Sequence, residues 1–176
     1  MKVVIVNGYP LAGKDTFCEF CCWELTRLKL RGQIVSSIQP AKEAARILGW
    51  DGAKDAKGRA FLSDLKDLSI QAYDGPLNYL RRCVTTSDAA ALFMMIREPE
   101  EIQKAQREFN AITVLVHRGQ DNSAAHSNHA DAGVEGAHYA RVILNTGSLQ
   151  QLREKASAFT NLYLLPEGRH ADRKDC

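Results

Sequence analysis

The residues best suited to chemistry lie close to the N-terminus, where positions 8–16 read Gly-Tyr-Pro-Leu-Ala-Gly-Lys-Asp-Thr. Gly8, Tyr9, Pro10, Leu11, Ala12, Gly13 and Lys14 have the spacing G-x-x-x-x-G-K. That pattern suits a backbone loop curled around a phosphate group. The glycines let consecutive N–H groups face inward. A helix starting after the loop would add about half a positive charge toward the anion. Lys14 would bridge the outer phosphates from an exposed loop as a point charge.

The next residue departs from the common form of this motif. A hydroxyl that touches Mg²⁺ usually follows the lysine, but here Asp15 follows and Thr16 comes after it. A carboxylate about 4 Å from a phosphate charge costs roughly 4 kcal/mol at an effective dielectric of 20. A divalent cation between the two removes that cost, so Asp15 is expected to face Mg²⁺, directly or through water. Thr16 would then bond an inner phosphate. The alternative is that Asp15 only favours the helix N-terminus.

Such a loop needs a strand before it and a helix after it. Val3–Val6 is a short β-branched run, as in a strand buried on both faces. From Lys14 to Arg31 the spacing of Phe17, Cys21, Leu25 and Leu28 predicts a helix, with Gly32 as its stop. A second strand is expected over Gln33–Ile38. A helix follows from Pro40 to Leu48, and then a polar loop over residues 51–60. Helices are expected over Phe61–Tyr73, with Leu62, Leu65 and Ile70 inward, and over Leu77–Val84 after a break at Gly75-Pro76. Strands over Ala89–Ile96, Ile112–His117 and Val142–Leu144 alternate with helices over Glu98–Phe109 and Ser148–Leu164, leaving a polar tail. This alternation predicts one α/β domain over 1–176, with a five-stranded parallel sheet between helical layers. Ligands of such sheets sit beyond the carboxyl ends of the strands.

Gly13-Lys14-Asp15-Thr16 resembles the loop of phage and bacterial deoxynucleoside monophosphate kinases, which carry G-K-D-[ST]. Further segments are similar to that family in the same order. They are Gln39-Pro40-Ala41-Lys42-Glu43, the stretch from Lys54 to Lys66, Ile96-Arg97-Glu98-Pro99, and Asn128 to Leu149. The resemblance implies a three-layer phosphate-loop kinase fold. It would have a small acceptor-binding helical insertion at about 40–85 and a short lid at about 118–138. The implied activity is ATP- and Mg²⁺-dependent phosphoryl transfer to a (deoxy)nucleoside monophosphate. Animal-type phosphomevalonate kinases also resemble the loop, so another phosphorylated metabolite is an alternative acceptor. An NTPase switch without an acceptor is the alternative outside enzyme catalysis.

On this reading Lys42, Arg59, Lys66 and Arg97 serve the acceptor. Arg97 directly follows an apolar strand, where a guanidinium could fork onto phosphate. Structural alternatives are pairing with Glu98, Glu100 or Glu101 for Arg97, and a solvated helix face for Arg59 and Lys66. The resemblance gives Arg118 the role of the lid arginine and sets Asn145 and Gly147 beside the donor base. A helix cap at Ser148 explains that last stretch equally well. The lid carries one arginine, at its start. Its His126-x-x-His129 pair, with Asp121 and Asp131, is expected to be polar surface without metal.

Composition narrows the partners. Lys and Arg number 23 and Asp and Glu 21, a net charge of +2. That argues against long nucleic acid as a partner, although local cations can still hold a nucleotide. The longest apolar run, Ala89–Ile96, falls far short of the roughly 18 residues that cross a bilayer. The start resembles no signal peptide, so a cytoplasmic site is expected. A homodimer stays open. Cys18, Cys21 and Cys22 share one stretch; a core stripe is expected, with a redox or zinc pair as the alternative.

Overall fold

The computed structural model describes residues 1–53, 55–119 and 134–165. It contains β1 (Lys2–Asn7), α1 (Lys14–Arg27), β2 (Gly32–Ser36), α2 (Gln39–Ile47), α3 (Ala56–Tyr73), α4 (Gly75–Thr86), β3 (Ala91–Met95), α5 (Pro99–Phe109), β4 (Ile112–His117), β5 (Arg141–Leu144) and α6 (Leu149–Phe159). The five strands form one parallel sheet in the order β2-β3-β1-β4-β5. β1 is central, with Val6 level with Met95 of β3 and Val114 of β4.

From β1 the chain passes beyond β3 to reach β2; from β2, β3 and β4 it moves the other way across the sheet. Right-handed crossovers place opposite directions on opposite faces, and the two cores divide accordingly. On one face α1 (Phe17, Cys21, Leu25) and α6 (Leu152, Ala156, Phe159) cover Val4, Val6, Phe93 and Val114. On the other, α4 (Leu77, Leu80) and α5 (Ile102, Ala105) cover Val3, Ile5, Leu92 and Met94. Alternate residues of β1 thus feed both cores, which is why its sequence is a continuous apolar run. Each large apolar side chain buried in this way contributes about 1.5–3 kcal/mol. The direction of winding reverses at β1, so the ligand crevice of the sheet opens beyond Asn7.

Several boundaries differ from expectation. α1 ends at Arg27, before Gly32, because Lys29 takes a left-handed φ of 57°. The Leu30 N–H then bonds the Leu25 carbonyl at 2.9 Å and the Lys29 N–H bonds that of Thr26 at 3.0 Å. This closure uses up the orphan carbonyls without a glycine, and Leu28 is left half-buried at the cap. β2 therefore starts at Gly32 and stops at Ser36. Residues 56–60 are helix rather than loop, since the Asp55 carboxylate caps α3 by accepting the Gly58 N–H at 2.7 Å. Along α3 the expected inward residues Leu62, Leu65 and Ile70 are only half-buried, while Lys66 is buried. Asp74, at φ 49°, makes the break between α3 and α4, and Gly75 and Pro76 belong to α4. α6 stops at Phe159 and passes into a wider π-type turn over Thr160–Leu164.

Cys18 and Cys21 are fully buried in the core, and all four described cysteines are free. Burial pushes the Cys21 thiol up to about 12 and that of Cys22 to about 11. Neutral thiols packed in a core fit the apolar-stripe expectation rather than a redox pair. No described helix is long and apolar enough to cross a membrane.

Candidate phosphate site

The loop from Gly8 to Gly13 leaves the end of β1 with its backbone tightly held. A side-chain carbon on Gly8 would lie 2.4 Å from the Val116 carbonyl oxygen of β4, so only glycine fits against the neighbouring strand. The Ala12 N–H donates to the Tyr9 carbonyl at 3.1 Å, and Leu11 at the loop's crest is exposed with φ 64°. Gly13 takes φ 92° as it turns the chain into α1. A Cβ there would meet Asn145 Nδ2 at 2.4 Å. That nitrogen donates instead to the Ala12 carbonyl at 2.9 Å. Gly13 and Asn145 are therefore fitted to one another.

The N-cap of α1 is Gly13, which has no side chain to cap the helix. The first turn of α1 therefore offers the arrangement of N–H groups and dipole that holds anions. Lys14, expected on an exposed loop, is instead 8% exposed at the start of α1. Asp15 is exposed and Thr16 half-buried on the same turn. Arg118, just beyond β4, donates from Nη1 to the Leu11 carbonyl at 2.9 Å, so it braces the loop's crest.

Asn7 and Tyr139 were not foreseen. Asn7 is fully buried; its Oδ1 accepts the Gly8 N–H at 2.8 Å, and its Nδ2 donates to the Arg97 carbonyl at 3.1 Å and to the Tyr139 hydroxyl at 2.8 Å. The Tyr139 hydroxyl donates in turn to the Val134 carbonyl at 2.8 Å. One amide thus ties together the loop, the second residue beyond β3 and the segment returning to β5. The available signal was a polar residue ending an apolar strand directly before glycine.

The expected acceptor residues separate. Arg97 stands at the sheet edge next to the loop, half-buried, with its backbone fixed by Asn7. Lys42 lies half-buried on α2 and Arg59 exposed on the first turns of α3. Lys66 is 5% exposed and lies on no solvated helix face. Its Nζ reaches Glu98 Oε2 at 2.5 Å and Glu101 Oε1 at 2.9 Å, which pins α3 to the start of α5. Burial pushes the Glu98 carboxyl up, but the Lys66 charge and hydrogen bond outweigh it and hold its pKa below the ordinary value. For Glu101 burial dominates and, with the charge of Glu98, lifts it to about 7 against the pull of Lys66. Gly147 borders an open depression of about 420 Å³ beside Thr146, Gln151, Glu154 and Lys155. The Ser148–Gln151 capping box closes α6 there.

Asp15 is the acidic member of the loop, and an exposed carboxylate on the first turn of a helix fits Mg²⁺, which takes few protein oxygens and keeps water and phosphate ligands. Among the described residues no group of three or more His, Cys, Asp or Glu could enclose a metal alone. His126 and His129, with Asp121 and Asp131, lie outside the described residues, as do Lys54, most of the expected lid and the polar tail. No protein-family model matches this chain, and no curated protein matches it.

Proposed function

We propose that this chain is a phosphate-loop kinase that transfers the γ-phosphoryl group of ATP to a small phosphorylated acceptor, most concretely a (deoxy)nucleoside monophosphate. The observation that carries the reading is the Gly8–Thr16 loop at the winding reversal of the sheet, opening directly into a helix whose N-cap is the glycine Gly13. The proposed fold is the three-layer kinase form, with residues of about 40–85 as the acceptor lobe and a lid starting near Arg118.

Such catalysis consists almost wholly of positioning and charge stabilisation. The loop N–H groups and Lys14 hold the β- and γ-phosphates. Asp15 would hold Mg²⁺, directly or through water, and the bound cation would neutralise phosphate charge. Thr16 bonds an inner phosphate oxygen. Arg97, set at the edge of β3 by Asn7, forks onto the acceptor phosphate. Arg118 keeps the loop's crest in place and turns its remaining N–H groups toward the transferring group. Asn145 and Gly147 border the donor base. An oxygen of the acceptor phosphate bonds to the γ-phosphorus as the bridge to the β-phosphate breaks, and ADP leaves with the bond's electron pair. The acceptor is already an anion, so no general base is required.

The test is ADP release from ATP and Mg²⁺ with each nucleoside monophosphate in turn, and with phosphomevalonate. Acceleration by one acceptor with matching formation of its phosphorylated product supports the reading. Acceptor-independent hydrolysis alone overturns it in favour of an NTPase.

A further inference from the structure

We infer that Tyr139 is a positioning residue for phosphoryl transfer: its hydroxyl locks the Asn7 amide in the one orientation that holds the start of the phosphate loop and the backbone of Arg97 in fixed relation. The inference rests on the kinase reading for the reaction it serves. It goes beyond that reading in giving a role to a side chain outside the loop.

A primary amide offers an accepting oxygen and two N–H donors on its nitrogen. Asn7, fully buried at the end of β1, uses all of them. Its Oδ1 accepts the Gly8 N–H at 2.8 Å, and its Nδ2 donates to the Arg97 carbonyl at 3.1 Å and to the Tyr139 hydroxyl at 2.8 Å. Turning the amide over would set N–H against the Gly8 N–H and oxygen against the Arg97 carbonyl. Those two partners are main-chain groups, and they are what the amide has to position. The third partner, the Tyr139 hydroxyl, supplies the fixed reference.

That hydroxyl is itself committed. Its one proton goes to the Val134 carbonyl at 2.8 Å, so toward Asn7 it acts as an acceptor. Val134 is buried, and the Tyr139 ring packs against the core on the face covered by α4 and α5. Burial pushes the Tyr139 hydroxyl up against the pull of the Asn7 hydrogen bond, which keeps the proton in place at neutral pH. The flanking backbone is tied to β4. Thr113 Oγ1 donates to the His138 carbonyl at 3.2 Å and accepts the Ala140 N–H at 2.9 Å, and Thr113 is fully buried. One residue of the sheet thus holds the chain on both sides of Tyr139, and Tyr139 holds the amide.

The two reacting phosphates must meet in line, and a displacement of about 1 Å set up far from the chemistry can cost on the order of 10²-fold in rate. Removing the hydroxyl leaves the loop and Lys14 in place to hold ATP, but no longer fixes their distance from Arg97. The loss should therefore fall on kcat rather than on the KM for ATP.

Steady-state kinetics of Tyr139→Phe test this, on the full chain with ATP, Mg²⁺ and the nucleoside monophosphate that the unsubstituted chain turns over fastest. kcat should fall about tenfold or more, with the KM for ATP changed less than about threefold and circular dichroism showing the fold retained. Ser87→Ala, which breaks hydrogen bonds to Gln33 and Ala89 at the opposite end of the sheet, should leave both constants in place. An unchanged kcat in folded Tyr139→Phe overturns the inference and leaves the kinase reading standing. A rise in the KM for ATP as large as the fall in kcat also overturns it, as does an equal loss of kcat in Ser87→Ala. If Tyr139→Phe does not fold, Thr113→Val, which frees the backbone of His138 and Ala140, serves instead. It should lower kcat at least about threefold, and an unchanged kcat overturns the inference. Absence of acceptor-stimulated ADP formation in the unsubstituted chain overturns the kinase reading itself, and this inference with it.

Discussion

Lys14 and Lys66 are both nearly inaccessible, at 8% and 5% exposure, yet the chain surrounds them in opposite ways. Lys66 lies between two carboxylates that it neutralises. Lys14 opens α1 directly after its glycine N-cap, in a loop whose one acid, Asp15, is exposed to solvent. The first arrangement consumes its charge within the fold. The second puts a lysine at the start of the helix that follows the central strand, where the winding of the sheet reverses. Burial alone therefore does not separate the two lysines; their places in the fold do.

Removing each lysine should break the comparison in a different observable. Lys14→Ala should lower kcat by about 10³-fold, the scale of a lost charge contact to a transferring phosphoryl group. Circular dichroism should show the fold retained. Lys66→Met should do the reverse and act first on stability. It leaves two partly buried carboxylates without their cation, at a cost of about 3 kcal/mol in urea unfolding, the lower end for breaking a buried pair because Glu98 is 30% exposed. Equal stability losses for both variants would dissolve the distinction.

The clamp also makes a pH prediction. The Glu101 carboxyl is raised to about 7 from an ordinary 4.5, so between those values the folded state binds more protons than the unfolded one. Stability should therefore fall as pH rises through that window. Glu98 is lowered and acts oppositely, its contribution being lost as pH falls below about 4.5. Glu101→Gln should flatten the fall between pH 5 and 7 in urea titrations; an unchanged slope would remove Glu101 as its source.

Two smaller effects sharpen the contrast between helix ends. Gly13→Ala forces a Cβ onto Asn145 at a left-handed φ, which should cost about 1–2 kcal/mol and raise the KM for ATP. Ser148→Ala removes the capping box of α6 and should cost about 1 kcal/mol, measured as a lower Tm. α6 satisfies its end with a side-chain capping box, whereas α1 begins at a glycine N-cap that supplies none.

Local signals made much of this legible. β4 runs over Ile112–His117 as its β-branched pattern predicts, and the parallel sheet follows from the alternation. The loop is visible because its glycines and lysine are contiguous. What escaped depends on distant partners or on glycines read the wrong way. Gly58 looked like a loop residue, but a side chain there would lie 2.4 Å from the Ala53 carbonyl, so it marks close packing at the start of a helix. The end of α1 was hidden because a lysine took the left-handed position expected of glycine. Lys66 looked like one more surface cation because Glu98 and Glu101 lie on another helix. Asn7 carried no periodic signal, and its three bonds join segments from three parts of the chain.

The most direct measurement of the central claim is ADP formation by the intact chain with ATP, Mg²⁺ and a panel of nucleoside monophosphates, run beside Lys14→Ala. The account predicts that at least one acceptor accelerates ADP formation, with an equal amount of its diphosphate produced, and that Lys14→Ala abolishes both. ADP formation that no acceptor raises above the level of Lys14→Ala would contradict it.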